Sequence, residues 1–177
     1  MDNLLIKNIL KQTNLISYNK KWEKDIIKES IKVGRNNGLD NIVIVFEELA
    51  ELEQVITKEI RGKGNKFAAI EEVADVVLGM EFINNVYNID IDTKTNYKKE
   101  TKKSLFVVLK DLVILQNQIL KLILEDDIKE LKGCCLNIMK DIEIIKEHFQ
   151  ICEEDIIKMK IFKLNRLKER IEKKELI

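Results

Sequence analysis

Four acidic residues stand in two short pairs, Glu48 and Glu51 in 47-EELAELEQ-54 and Glu72 and Asp75 in 71-EEVAD-75. Each pair is spaced i,i+3, which sets both carboxylates on one side of a helix. Helical residues advance about 100° each. Within about 60° of Glu48 lie Ile44, Leu52 and Val55, so the first pair is expected to interrupt an apolar stripe. The same arc around Glu72 holds Ala68, Ala69, Val76, Gly79 and Ile83. Those mostly small neighbours leave room beside the carboxylates.

An isolated buried carboxylate is costly and usually neutralises or finds a partner. Four together also repel. Mg²⁺ answers both problems: it takes carboxylate oxygens, keeps several waters and is commonly shared with substrate phosphates. Two i,i+3 pairs on facing antiparallel helices would gather four carboxylates around one small volume. Acidic pairs also arise by chance in a chain with 31 acids, and Asp127/Glu130 reads as a solvated first turn. A di-iron bundle needs Glu-x-x-His pairs. The single histidine, His148, has Ile145 three residues before it, and reads as a surface or helix-end residue.

About six helices are expected to carry these residues. The chain has no proline and six glycines in 177 residues, with abundant Lys, Glu, Ile and Leu. That composition points to an all-α antiparallel bundle in one domain over residues 1–177. The first long helix runs from near Asn19 to Lys32 and the second from a cap at Asp40 to about Ile60. The third runs from a cap at Asn65 to about Tyr87, and the fourth from about Lys98 to Leu124. The fifth ends near Phe149, and the sixth spans about Glu153 to Lys174. Gly34, Gly38 and 62-GKGN-65 punctuate the pattern. Residues 48–61 overlay 111–124 without a gap, with five of fourteen positions identical. That is either a degenerate internal repeat or shared helical periodicity. Ile114 stands where Glu51 stands, so the acidic site belongs to the first half.

Formal net charge is zero, from 31 basic and 31 acidic residues. A nucleic-acid partner would favour a basic excess, so none is expected. MDNLLIKNIL does not read as a secretory signal, and no stretch is long and apolar enough for a membrane span. Cys134, Cys135 and Cys152 lack metal-ligand spacing and fit free thiols in a reducing cytoplasm.

EELAE at 47–51, RGKGN at 61–65 and EEVADVVLGMEFI at 71–83 together resemble the MazG-like, all-alpha nucleoside triphosphate pyrophosphohydrolases. Their signature is ExxE, a variable spacer, then ExxD, which here has a spacer of twenty residues. The basic helix 163-KLNRLKERI-171 looks like the C-terminal helix of short members. The resemblance covers about residues 20–90 and 152–171. Residues 91–150 look like an insertion, or like the degenerate second half of the related dimeric dUTPases.

The resemblance implies hydrolysis of (d)NTPs between the α- and β-phosphates, with Mg²⁺, or alternatively Mn²⁺, held by Glu48, Glu51, Glu72 and Asp75. It also implies that a carboxylate on the second helix acts as general base to a water. Glu47 and Glu71, at the edge of the site face, are candidates to support the ligands or serve as that base. Lys58, Arg61, Lys63 and Lys66 could meet the triphosphate, or form an ordinary solvated loop. Lys160, Lys163 and Arg166 follow one helical face and either close over phosphates or face solvent. Trp22 either stacks on a base or fills a core or interface. The family usually assembles through helix-bundle interfaces, which implies a homodimer or homotetramer. The competing reading is a non-catalytic helical module that binds nucleotide or protein.

Overall fold

The computed structural model describes residues 1–15, 18–33, 39–91, 104–125 and 127–173. Seven helices and no strands occur among them: α1 (Asn3–Gln12), α2 (Lys20–Val33), α3 (Leu39–Ile60), α4 (Lys66–Tyr87), α5 (Leu105–Glu125), α6 (Leu131–Phe149) and α7 (Glu153–Glu172). The all-α bundle expected from composition is therefore what the chain forms. None of the described helices is long and apolar enough to cross a membrane.

The extra helix, α1, was not among those expected, although five of its ten residues are apolar. Asp2 accepts from the Leu4 N–H at its start, and Ile6 and Ile9 bury one narrow face. Asp40 does not cap α3; it falls inside the helix, which begins at Leu39. The expected start of the fourth long helix, near Lys98, lies outside the described residues, as does Lys174.

The turn between α3 and α4 is fixed by local chemistry. Gly62 adopts φ +70°, a conformation that costs a side-chain-bearing residue about 1–2 kcal/mol. Its N–H donates to the Glu59 carbonyl, and the Lys63 N–H donates to that of Lys58, each at 2.8 Å. This pair of bonds closes the end of α3. Asn65 then starts α4, its side chain accepting from the Phe67 and Ala68 N–H groups. A tight turn of this kind folds α4 back along α3.

α4 sits at the centre. Nearly every residue from Ala69 to Met80 is buried, whichever way it points, with Asp75 half-buried. A helix apolar on all sides must be enclosed, and α4 packs against α1, α2, α3, α6 and α7. α5 and α6 form a second hairpin, with α5 lying against α3. One large core joins α1 and α3–α7; a smaller cluster of Ile26, Ile27, Leu78 and Leu164 seals α2 against α4 and α7.

The core stripe of α3 runs through Ile42, Val45, Leu49, Leu52 and Ile56. It is rotated away from the one expected. Ile44 is 49% exposed, Glu48 is half-buried at the stripe's edge, and Glu51 is exposed. Contact with α4 and α5 selects that face, and periodicity alone did not resolve which of two adjacent apolar rows would win. Ile114 on α5 is likewise 42% exposed.

Candidate metal centre

Glu48 and Glu51 project from α3 toward α4, where Glu72 meets them. One carboxylate oxygen from each of the three lies within 4.8 Å of the others. Glu72 is only 9% exposed, and its Oε2 is buried without a hydrogen-bond partner. An unsatisfied buried polar atom costs about 1–3 kcal/mol, and more when charged. Two glutamates from one helix and one from the next therefore present hard oxygen donors to one point. That donor set could hold a divalent cation.

Asp75, expected as the fourth ligand, is held from the other side. Its Oδ2 accepts from Lys163 Nζ on α7 at 2.5 Å. The same ammonium donates to Glu71 Oε1 at 3.2 Å, and the Met1 amino group reaches Glu71 Oε2 at 2.8 Å. Three carboxylates thus converge, with a fourth one helical turn along α4 and tied to a lysine.

The electrostatics record this crowding. Burial, with Asp75, Glu51, Glu71 and Glu48 adding repulsion, pushes the Glu72 carboxyl up to about 8. Burial and the Asp75 charge raise Glu48 to about 7, against the opposing pull of Lys163. Burial also raises Asp75, to about 6, although Lys163 works the other way. Free of cations, the cluster holds protons at pH values where isolated carboxyls have lost them.

The other expected site residues separate into three groups. Lys163 is in the cluster. Arg166, one turn on, is exposed with its guanidinium over the Phe162 ring at 5.8 Å. Glu47 is exposed beside Glu48 and contributes to its raised pKa. Lys58, Arg61 and Lys63 are exposed, with Lys58 seven residues beyond Glu51, about 10 Å along the axis. Lys66 donates to the Gln150 carbonyl. His148, exposed, approaches Glu59 at 2.8 Å, and the three cysteines are free thiols.

Two residues have structural partners. Trp22 packs at the edge of the small cluster around Leu78 and Leu164. Lys160 does not face solvent or the acidic cluster; it is 3% exposed, with Nζ 2.6 Å from Glu23 Oε1. Glu23 is fully buried and accepts from the Tyr18 hydroxyl at 2.6 Å. Lys20 joins this group 3.7 Å from Glu23 Oε2 and also pairs with Glu81. Burial works to raise the Glu23 carboxyl, but Lys160, Tyr18 and Lys20 outweigh it and leave it below its ordinary value. Sequence reasoning missed this network. The signal was present, because Glu23 stands on the same face as Ile26 and Ile27, as the site acids stand among apolar residues.

No known protein family matches the chain, and no curated protein or solved structure matches it significantly.

Proposed function

We propose that this protein is a divalent-cation-dependent nucleoside triphosphate pyrophosphohydrolase, converting a (d)NTP and water to the monophosphate and pyrophosphate. The observation that carries this reading is the convergence of Glu48, Glu51 and Glu72 around a buried, unpartnered oxygen, with a lysine held beside them. Glu48, Glu51 and Glu72 would hold Mg²⁺ or Mn²⁺, and Asp75 would join them on leaving Lys163. A bound divalent cation polarises phosphoryl oxygens and lowers the pKa of water. Lys163 and Arg166, on one face of α7, supply positive charge for the polyphosphate. A carboxylate of α3 takes the proton of the attacking water. Glu47 is exposed and Glu48 half-buried, so both reach solvent.

Assembly as a homodimer or homotetramer is part of this reading. Phe106, Val113 and Leu120 recur every seventh residue along α5 and are 68%, 46% and 40% exposed. Light scattering tests it, and a monomer at all concentrations removes it.

The test of the reaction is incubation with each (d)NTP and Mg²⁺, with pyrophosphate and monophosphate quantified. Wild type should release both, and Glu72→Gln should not. If neither protein turns over any nucleotide, the enzyme reading fails. Calorimetric titration with Mg²⁺ then decides whether the carboxylates bind a cation in a non-catalytic module.

A further inference from the structure

A cavity of about 210 Å³ adjoins the carboxylates. One end is charged, where Glu48, Asp75 and Lys163 meet. From there it runs between α2, α3, α4 and α7. Ile44 and Val45 of α3, Leu78 and Phe82 of α4, and Leu164 and Leu167 of α7 form apolar walls. Asn41 lies seven residues before Glu48, and Phe82 seven after Asp75, so the cavity extends about 10 Å along the helices. Away from the carboxylates its polar lining is Ser30, Asn41 and Arg170. Ser30 is 3% exposed.

Asn41 is the informative residue. Its side-chain Nδ2 is buried and has no hydrogen-bond partner. A buried amide donor left unpaired is a cost that a folded chain rarely keeps without reason. The walls around it are largely apolar, and a volume below the usual range for whole ligands suits one planar ring system. The charged end then falls where the rest of such a ligand would carry its phosphates.

We propose that this cavity seats the nucleobase of the substrate, and that Asn41 reads the base by donating from its side-chain amide to a ring carbonyl or ring nitrogen. The assignment rests on the pyrophosphohydrolase reading and adds to it the residue that discriminates between bases. Phe82, Leu78 and Leu167 exclude water and contact the ring faces. Ser30 offers a second hydrogen-bonding group toward the base edge. Selectivity comes from the Asn41 donor, because a base that presents another donor there leaves both groups unsatisfied.

The experiment titrates ¹⁵N-labelled protein with deoxyadenosine, deoxycytidine, deoxyguanosine, thymidine and deoxyuridine, which carry no phosphate and need no turnover. At least one should shift the Asn41 side-chain amide resonances at millimolar concentration. Leu167→Trp, which fills the cavity, should abolish the shift while keeping native helicity. Asn41→Leu should weaken binding about tenfold, the value of one hydrogen bond, while raising the thermal midpoint of the free protein. If no nucleoside shifts Asn41, or if Leu167→Trp leaves the shifts unchanged, the base seat is overturned. Pyrophosphate release on the same samples separates the two ideas. Turnover with an unresponsive Asn41 keeps the enzyme and removes the base seat. A responsive Asn41 without turnover does the reverse.

Discussion

Lys163 and Asp75 are joined across the α7–α4 contact at 2.5 Å, and the lysine also bonds Glu71. An ammonium therefore supplies part of the positive charge that the acidic cluster requires. It is mounted on a different helix from the acids, so the bond also fastens α7 over α4.

Replacing Lys163 with Met should act twice. The metal-free protein should lose about 1–3 kcal/mol, less than the 3–5 typical of a broken buried pair because the lysine is 20% exposed. That corresponds to a fall of roughly 2–12 °C in thermal midpoint. Saturating Mg²⁺ should recover part of the loss, and kcat/KM for any accepted nucleotide should fall about 100-fold or more. Equal destabilisation with and without Mg²⁺ would mean that Lys163 only packs.

The protonation of the cluster gives a pH signature with a fixed sign. Glu48, Glu72 and Asp75 sit at about 7, 8 and 6, above ordinary carboxyls near 4. The folded state thus favours their protonated forms. That stabilisation is complete below about pH 4 and is lost as pH rises through 6 to 8. The midpoint of metal-free protein should fall over that window, and Glu72→Gln should flatten the fall. In excess Mg²⁺ the trend should reverse, because the ligands must be deprotonated to bind. Calorimetry in buffers of different ionisation enthalpy should detect proton release. A metal-free midpoint that rises across the window contradicts the assignment.

The pair Glu23–Lys160 should behave differently. Removing one partner leaves a charge buried without its main counterion. Glu23→Gln or Lys160→Met should cost about 3–5 kcal/mol, and the double replacement less than the sum. Mg²⁺ affinity should stay at the wild-type value in each. A loss of Mg²⁺ binding in the refolded Lys160→Met protein would return that lysine to the site.

These residues show what the sequence made legible. The absence of proline and the strong helical composition pointed to the all-α class, and the bounds of α4 match expectation while α3 begins two residues early. The meeting of Glu48 and Glu51 with Glu72 across a hairpin followed from i,i+3 spacing and a short turn, whereas the hold of Lys163 on Asp75 did not. The rotation of α3 did not follow, because two neighbouring apolar rows compete and only the partners α4 and α5 choose between them. Lys160 and Lys163 are one turn apart and looked equivalent. One reaches Glu23 and the other Asp75, a distinction set by where α2 and α4 lie beside α7. Asn41 gave no signal, since an unpaired donor is a property of the folded surroundings.

The close approach at Gly79 has a further consequence. A Cβ at that position would stand 3.0 Å from both methyl groups of Val45. Gly79 is one turn beyond Asp75, and Val45 one turn before Glu48. The gap between the two helices is therefore set next to the acids, where it would bear on the radius of any cation they hold. Mg²⁺ demands oxygens at about 2.0–2.1 Å, whereas Ca²⁺ accepts about 2.3–2.6 Å. Gly79→Ala should push the helices apart by a few tenths of an ångström, weakening Mg²⁺ relative to Ca²⁺ in competitive titration. An unchanged ratio would show that the acids set their own spacing. A residue with no side chain, and no contact with the ion, would then act as the caliper of the centre.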